Sequence, residues 1–209
     1  MTYQAILLAA GNSSRSALPY NKVLHLIEDK PIIYLSASNF INDERCNKIL
    51  LVCKEEEINT FKEVFVGIDK IEYAIGGKTR QESVNNALTH IDSDYVLIHD
   101  GARPYYSNNL LNDIVDKLND HNAVIPVIKV IDTLKVVKDN KVVKTLNREE
   151  VVRVQTPQGF KTSLIKMAHN KAIKNTYTDD SSMVEELNEE VFVVEGETTN
   201  IKFTIKEDF

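Results

Sequence analysis

A chain of 209 residues with 43% hydrophobic and 27% charged residues suits one domain with an ordinary buried core. Its net charge of −6 argues against a general nucleic-acid or anionic-membrane surface, so a polyphosphate ligand must be met by cations gathered locally. No apolar run approaches a membrane span, MTYQAILLAAG lacks a basic leader and a cleavage pattern, and only Cys46 and Cys53 carry thiols; a cytoplasmic enzyme is expected.

In chain order, the apolar run Ala5 to Ala9 predicts a first strand, followed by the turn-rich stretch LAAGNSSRSALPYNK, residues 8 to 22. Ala9, Ala10 and Gly11 leave the backbone open, so that main-chain N–H groups can face an anion or a base edge. Arg15 and Lys22 stand seven residues apart, a spacing that lets both reach one polyphosphate; two solvated surface cations are the plainer alternative. Neither GxxxxGK[ST] nor GxGxxG is present. Ile49 to Val52 reads as a buried strand that makes Cys53 a core thiol.

The run Ile71 to Ile75 is a further strand, closing on GGKTRQESV at residues 76 to 84. Gly77 permits close approach of a ligand to a helix N-terminus that carries Ser83, although a turn capped by Thr79 explains the same residues. Val84, Ala87, Leu88 and Ile91 then follow helical spacing. Tyr95 to Ile98 predicts a strand that delivers HDGARP. Here Asp100 suits Mg²⁺, which takes one or two carboxylates and completes its shell on substrate phosphates. Arg103 offers a fork for a phosphate, and His99 is a strand-end residue without an assigned role. Leu110, Leu111, Ile114, Val115 and Leu118 mark another helix, and Val124 to Val127 another strand.

TLKVVKDNKVVKTL, residues 133 to 146, mirrors itself about Asp139-Asn140 and predicts a hairpin. A lone hairpin is marginal in water, so it is expected to pack on a second subunit or to lie flat on its own domain. Asp132-Thr133 precede it, and Arg148 and Arg153 follow in NREEVVRVQTPQGF. Thr178-Asp179-Asp180-Ser181 before SSMVEEL is a helix-cap signature that makes both aspartates structural. TNIKFTI, with Lys202, reads as an edge or returning strand. Alternating strands and amphipathic helices imply an α/β fold with a mainly parallel sheet, whose ligands bind beyond the carboxyl ends of the strands.

Taken in order, LAAGNSSR…NK, GGKTRQESV, HDGARP, DTLK, QTPQ.F, TDDSS.VE and NIK.T resemble the 2-C-methyl-D-erythritol 4-phosphate cytidylyltransferase family from residue 5 to the end. The resemblance implies a doubly wound, Rossmann-like nucleotidyltransferase fold, as a single domain over 1–209 with a β-arm at about 132–154 that reaches across a homodimer. It implies transfer of CMP from CTP to methylerythritol phosphate, with Mg²⁺ or another divalent cation and release of pyrophosphate, in isoprenoid precursor synthesis. Arg15 and Lys22 would then stabilise the transition state. Ala9, Ala10, Gly11, Gly77 and Ser83 would hold CTP. Asp100, Arg103, Thr133, Arg148, Thr178 and Lys202 would surround the acceptor, with Arg148 and Lys202 aiming its phosphate and Asp100 on the metal. Ribitol or ribulose 5-phosphate is the alternative acceptor, and a non-catalytic nucleotide binder the alternative class. Three departures from the family pattern stand out: Ser13 replaces a second glycine, Asn21-Lys22-Val23 replaces Pro-Lys-Gln, and the chain lacks a usual further C-terminal helix. A softer nucleotide loop is expected from the first two.

Overall fold

The computed structural model describes residues 1–12, 16, 18–172 and 177–209. Strands β1 (Tyr3–Leu8), β4 (Cys46–Cys53), β5 (Ile71–Ile75) and β6 (Tyr95–Asp100) lie parallel, in the order β5-β4-β1-β6. The short pair β2 (Leu26–Ile27) and β3 (Lys30–Pro31) leads into α1 (Ile32–Asn42). Helices α2 (Ile58–Val64), α3 (Arg80–Leu88) and α4 (Asn108–Lys117) follow β4, β5 and β6 in turn.

Alternation along the strands fixes which face each helix covers. Ala5, Leu7, Ile49, Leu51 and Leu97 pack with Ile33, Phe40, Phe61 and Leu110, the residues of α1, α2 and α4. Ile6, Leu50, Val52, Val96 and Ile98 pack on the opposite face with Val84 and Leu88 of α3, and with Leu164 and Ile165 of α5 (Thr162–Lys171). Met183 and Val184 of α6 (Ser181–Glu185) join that second face. Near-continuous apolar strands buried on both sides are what a parallel sheet between two helical layers demands. The chain is therefore doubly wound.

Past β6 the sheet is extended by β7 (Ala123–Lys129), β10 (Val152–Val154), β11 (Gln158–Lys161) and β12 (Phe192–Glu195). Strand β11 lies antiparallel between β6 and β7. Strand β10 continues along the same edge of β7, while β12 runs parallel on its other edge. The sheet counts eight strands among the described residues. Between β7 and β10 stands a separate hairpin, β8 (Lys135–Lys138) and β9 (Lys141–Thr145), whose turn residues Asp139 and Asn140 adopt positive φ of 50° and 58°. That is the turn hand that matches strand twist, and Asp and Asn tolerate it. Every residue of β9 is exposed, including Val142 and Val143, and Val137 of β8 is exposed opposite them.

Two expectations need correction. The stretch TNIKFTI forms no strand: residues 201–204 lie outside any ladder. It is tied down instead by Phe203 N–H donating to Ala102 O (2.9 Å) and by contacts on Asn200. Asp180 begins α6 but its side chain makes no cap hydrogen bond; an ion pair with Arg80 takes it. Among the described residues, no helix is long and apolar enough to cross a membrane.

Candidate functional site

The sheet reverses its order of winding between β1 and β6, since β1 leads outward to β4 and β6 lies on its other side. At such a switch point the loops diverge and leave a crevice at the carboxyl ends of the strands. Three backbone bonds shape this one: Ala9 N–H to Val52 O (2.7 Å), Gly76 N–H to Cys53 O (2.9 Å) and Gly101 N–H to Leu8 O (2.9 Å). They extend the ladders just past the last paired residues, so that the loops after β1, β5 and β6 leave side by side.

A cavity of about 300 Å³ opens there, lined by Leu8 to Asn12, Asn21 to Val23, Gly77 to Arg80, Ser83, Asp100 to Ala102 and Lys202. Small side chains make the room. A Cβ on Gly76 would stand 2.5 Å from Ala10 Cβ, and one on Gly77 would stand 2.3 Å from Glu82 Cβ. Thr79 caps α3 through Glu82 N–H (3.0 Å), and the Ser83 hydroxyl accepts from Gly77 N–H (3.0 Å) while facing Thr79 O at 2.9 Å. GGKTRQESV thus forms the turn capped by Thr79, and this turn borders the cavity. With its proton given to Thr79, Ser83 offers a ligand its oxygen lone pair.

Lys22 begins a 3-10 turn, Lys22–Leu24, on the opposite wall. Asn21 fixes that turn. Its amide donates to Ala9 O (2.7 Å) and to Glu57 Oε2 (3.0 Å), and its oxygen accepts from Val23 N–H (3.4 Å). The loop expected to soften at Asn21 and Val23 is therefore pinned there, with both residues buried. Arg15 and Ser13 lie outside the described residues.

Asp100 is the focus of charge. Lys202 Nζ stands 2.7 Å from Oδ2, Arg80 Nε 3.4 Å from Oδ1 and Arg103 Nε 3.7 Å from Oδ2. Burial alone would raise the carboxyl, but the Lys202 ammonium and the two guanidinium groups outweigh it and hold Asp100 well below the usual carboxylate range. Its oxygens stay ionised. Arg80 in turn reaches Asp180 Oδ2 at 2.7 Å. Burial disfavours its charge, but Asp180 and Asp100 more than compensate, so the guanidinium is held protonated more firmly than usual.

His99, given no role from sequence, organises the turn behind Asp100. Asp100 N–H donates to Thr156 Oγ1 (3.1 Å), and Thr156 Oγ1 lies 2.9 Å from His99 Nδ1. His99 Nε2 lies 3.0 Å from Arg103 O. One pattern satisfies all three: Thr156 donates to Nδ1 and Nε2–H donates to the Arg103 carbonyl. Burial pushes the imidazole down to about 3, so it is neutral at neutral pH.

Of the residues expected at the site, Ala9, Ala10, Gly11, Lys22, Gly77, Ser83, Asp100 and Lys202 line the cavity. Arg103 stands behind it, donating to Asn200 O (2.7 Å) and so anchoring the segment that carries Lys202. Thr178 and Thr133 are exposed, and Arg148 donates to Ile131 O (2.7 Å) at the base of the hairpin; none of the three lines the cavity of its own chain. Arg80, Lys78 and Asn21 line it without having been singled out. Arg80 was within sight, in the turn of GGKTRQESV, but its partners lie 20 and 100 residues away and left no local trace. For Mg²⁺ the described lining supplies one acid, Asp100. No group of three His, Cys, Asp or Glu able to hold a metal occurs among the described residues. One carboxylate fits a cation that draws its other ligands from substrate phosphates and water. Burial pushes the thiols of Cys46 and Cys53 up to about 12, which leaves both without nucleophilic character.

Residues 3–209 match the family model described as 2-C-methyl-D-erythritol 4-phosphate cytidylyltransferase. The chain belongs to this family. It is 42% identical over 214 residues to the protein of that name from Geobacillus thermodenitrificans, covering 100% of this chain and 94% of the relative. To the one from Bacillus thuringiensis it is 40% identical over 212 residues, covering 99% and 94%. The structure of 4-diphosphocytidyl-2C-methyl-D-erythritol synthase from Anaerococcus prevotii superposes with a TM-score of 0.88 at 32% identity, covering 99% of this chain and 94% of that one. Members of this family are cytidylyltransferases, and the mainly parallel sheet with helices on both faces is their fold.

Proposed function

We propose that this chain transfers the cytidylyl group of CTP to 2-C-methyl-D-erythritol 4-phosphate, giving CDP-methylerythritol and pyrophosphate in isoprenoid precursor synthesis. The observation that carries the proposal is the cavity at the switch point, where Lys22, Lys78, Arg80 and Lys202 line one space around a single ionised acid. Both reactants are anions, so their direct reaction is slow through repulsion and poor alignment. Fixed cations answer the first obstacle and a shaped crevice the second.

In this scheme the backbone of Ala9, Ala10, Gly11 and Gly77, with Ser83, holds CTP, and Arg15 and Lys22 stabilise the transition state at its α-phosphorus. The acceptor's phosphate oxygen, already ionised near neutral pH, attacks the α-phosphorus. A new P–O bond forms there, the bond to the β-phosphate oxygen breaks, and pyrophosphate leaves with that electron pair. Lys22 and Lys202 neutralise charge on the reacting phosphates and need transfer no proton. Asp100 would hold Mg²⁺, which when bound supplies charge neutralisation to the triphosphate.

Thr133 and Arg148 flank the exposed hairpin rather than the cavity. We assign them, with the arm expected at about 132–154 but cut short by Val152–Val154, which belong to the central sheet as β10, to the acceptor site of a partner subunit in a homodimer; the bare valines of the hairpin support this. Arg103 and Thr178 act from behind and beside the acceptor. A single domain over 1–209 in the cytoplasm suits two unbridged, buried thiols. Ribitol or ribulose 5-phosphate and a non-catalytic role are disfavoured by the full-length match to the methylerythritol family.

The test is product formation from CTP with each polyol phosphate, read as pyrophosphate and as the CDP-alcohol. Methylerythritol phosphate is expected to give the highest kcat/KM. A preference for ribitol 5-phosphate would overturn the acceptor, and CTP binding without turnover on any acceptor would overturn the activity.

A further inference from the structure

We propose that Asp180, together with His169, is a positioning residue for the transfer, anchoring the far end of Arg80 so that Asp100 keeps an oxygen for Lys202. The inference rests on the functional assignment above and concerns residues remote from the reacting atoms. Asp180 is fully buried at the start of α6, yet it caps nothing. Its oxygens face Arg80 Nη2 at 2.7 Å and His169 Nε2 at 3.4 Å, as contacts between polar heads rather than aligned hydrogen bonds. Burial would raise its carboxyl, but Arg80 and His169 lower it below the usual carboxylate range, so it carries its charge.

A buried ionised carboxylate is costly and is tolerated where it is paired. This one sits at the end of a chain of charges, Asp180 to Arg80 to Asp100 to Lys202, whose last members line the cavity. The backbone around it is held firmly. Gln158 Oε1 accepts from Asp180 N–H (3.2 Å), Gln158 Nε2 donates to Asp179 Oδ2 (3.1 Å), and Ser181 Oγ donates to the same oxygen (2.5 Å). Asp180 is thereby presented from a fixed turn, while His169 braces it from α5.

The guanidinium of Arg80 is divided between two acids, its Nε toward Asp100 and its Nη2 toward Asp180. A planar fork prefers to take one carboxylate with two N–H groups. Without charge at residue 180, Arg80 is free to close on both oxygens of Asp100 and to compete with Lys202 for Oδ2. The acceptor side of the cavity then loses its aimed ammonium, while the backbone that holds the nucleotide is untouched.

Asp180→Asn keeps the shape and removes the charge. It is expected to lower kcat/KM for the acceptor about tenfold or more, with the KM for CTP within about twofold of wild type. In a Lys202→Ala background the same substitution is expected to add little, because both changes remove one interaction. If Asp180 serves stability alone, the thermal midpoint falls while both KM values stay put, and its effect multiplies that of Lys202→Ala; either result overturns the proposal. Should Asp180→Asn fail to fold, His169→Gln takes its place in the same cycle, with a several-fold acceptor defect expected and equal effects on both substrates overturning it. Wild-type turnover is the control that separates failure of the functional assignment from failure of this one.

Discussion

His99 is buried as a neutral ring, and this gives the protein a pH signature. Its pKa in the fold, about 3, lies below the value of about 6.5 that it has in an unfolded chain. Its contribution to stability is therefore complete above about pH 6.5 and is lost as pH falls through the window toward 3, at up to about 1.4 kcal/mol per pH unit. Denaturant unfolding of the wild type is expected to show that slope between pH 6 and 5. His99→Gln should be less stable at pH 7 but flatter across the same interval, and parallel profiles would remove His99 as the cause. For chemistry, Lys22→Ala is expected to cut kcat by about 10²-fold with folding intact; an unchanged kcat would take Lys22 out of the mechanism. Lys22 and Asp100 were legible in the sequence because they stand in or directly after the loops that leave strand-like runs, whereas Lys202 was marked only by the family resemblance. Arg80 and Asp180 were not. An Asp before Ser-Ser-Met-Val looks the same whether it caps a helix or meets an arginine 100 residues earlier.

At the scale of elements, the close approach of β1 to β6 depends on Gly101. A Cβ there would meet Leu8 O at 2.7 Å and Ile33 Cδ1 at 2.5 Å, and the first is backbone that cannot swing aside. Gly101→Ala is expected to cost about 2 kcal/mol and to weaken CTP and acceptor binding together, which unfolding and equilibrium binding would measure. A wild-type midpoint would show that the strands separate more easily than this geometry implies. The five strands with short, mostly apolar runs were legible, as were α3 and α4 from their spacing. Strand β11, Gln-Gly-Phe-Lys, carried no alternation because it is buried on both faces at Gln158, Gly159 and Phe160. The misread strand at TNIKFTI had the right alternation, but β12 already occupies the free edge of β7. Side chains of Gln155 and Arg103 donate to the 197–200 backbone instead, Gln155 to Glu197 O at 2.7 Å, and the Asn200 amide donates to the Thr156 carbonyl at 2.9 Å.

For the molecule as a whole, the order β5-β4-β1-β6 places loops that are far apart in sequence around one crevice, and the hairpin lies off the sheet. If the arm completes a partner's site, Val137→Asp with Val142→Asp should convert a dimer into a monomer by light scattering, with CTP binding retained and turnover lost. A dimer that persists with full activity would place the subunit contact elsewhere. The crevice could be anticipated from the alternation of strands and helices, whereas the standing of Arg148 and Thr133 outside it is a matter of tertiary geometry that no local pattern encodes. A crystal structure of the CTP complex is the most direct test. The account predicts the triphosphate beside Gly11 and Lys22, with the base between residues 9–11 and the Gly77–Ser83 turn; a nucleotide bound elsewhere, or Lys22 and Lys202 turned away from its phosphates, would contradict it.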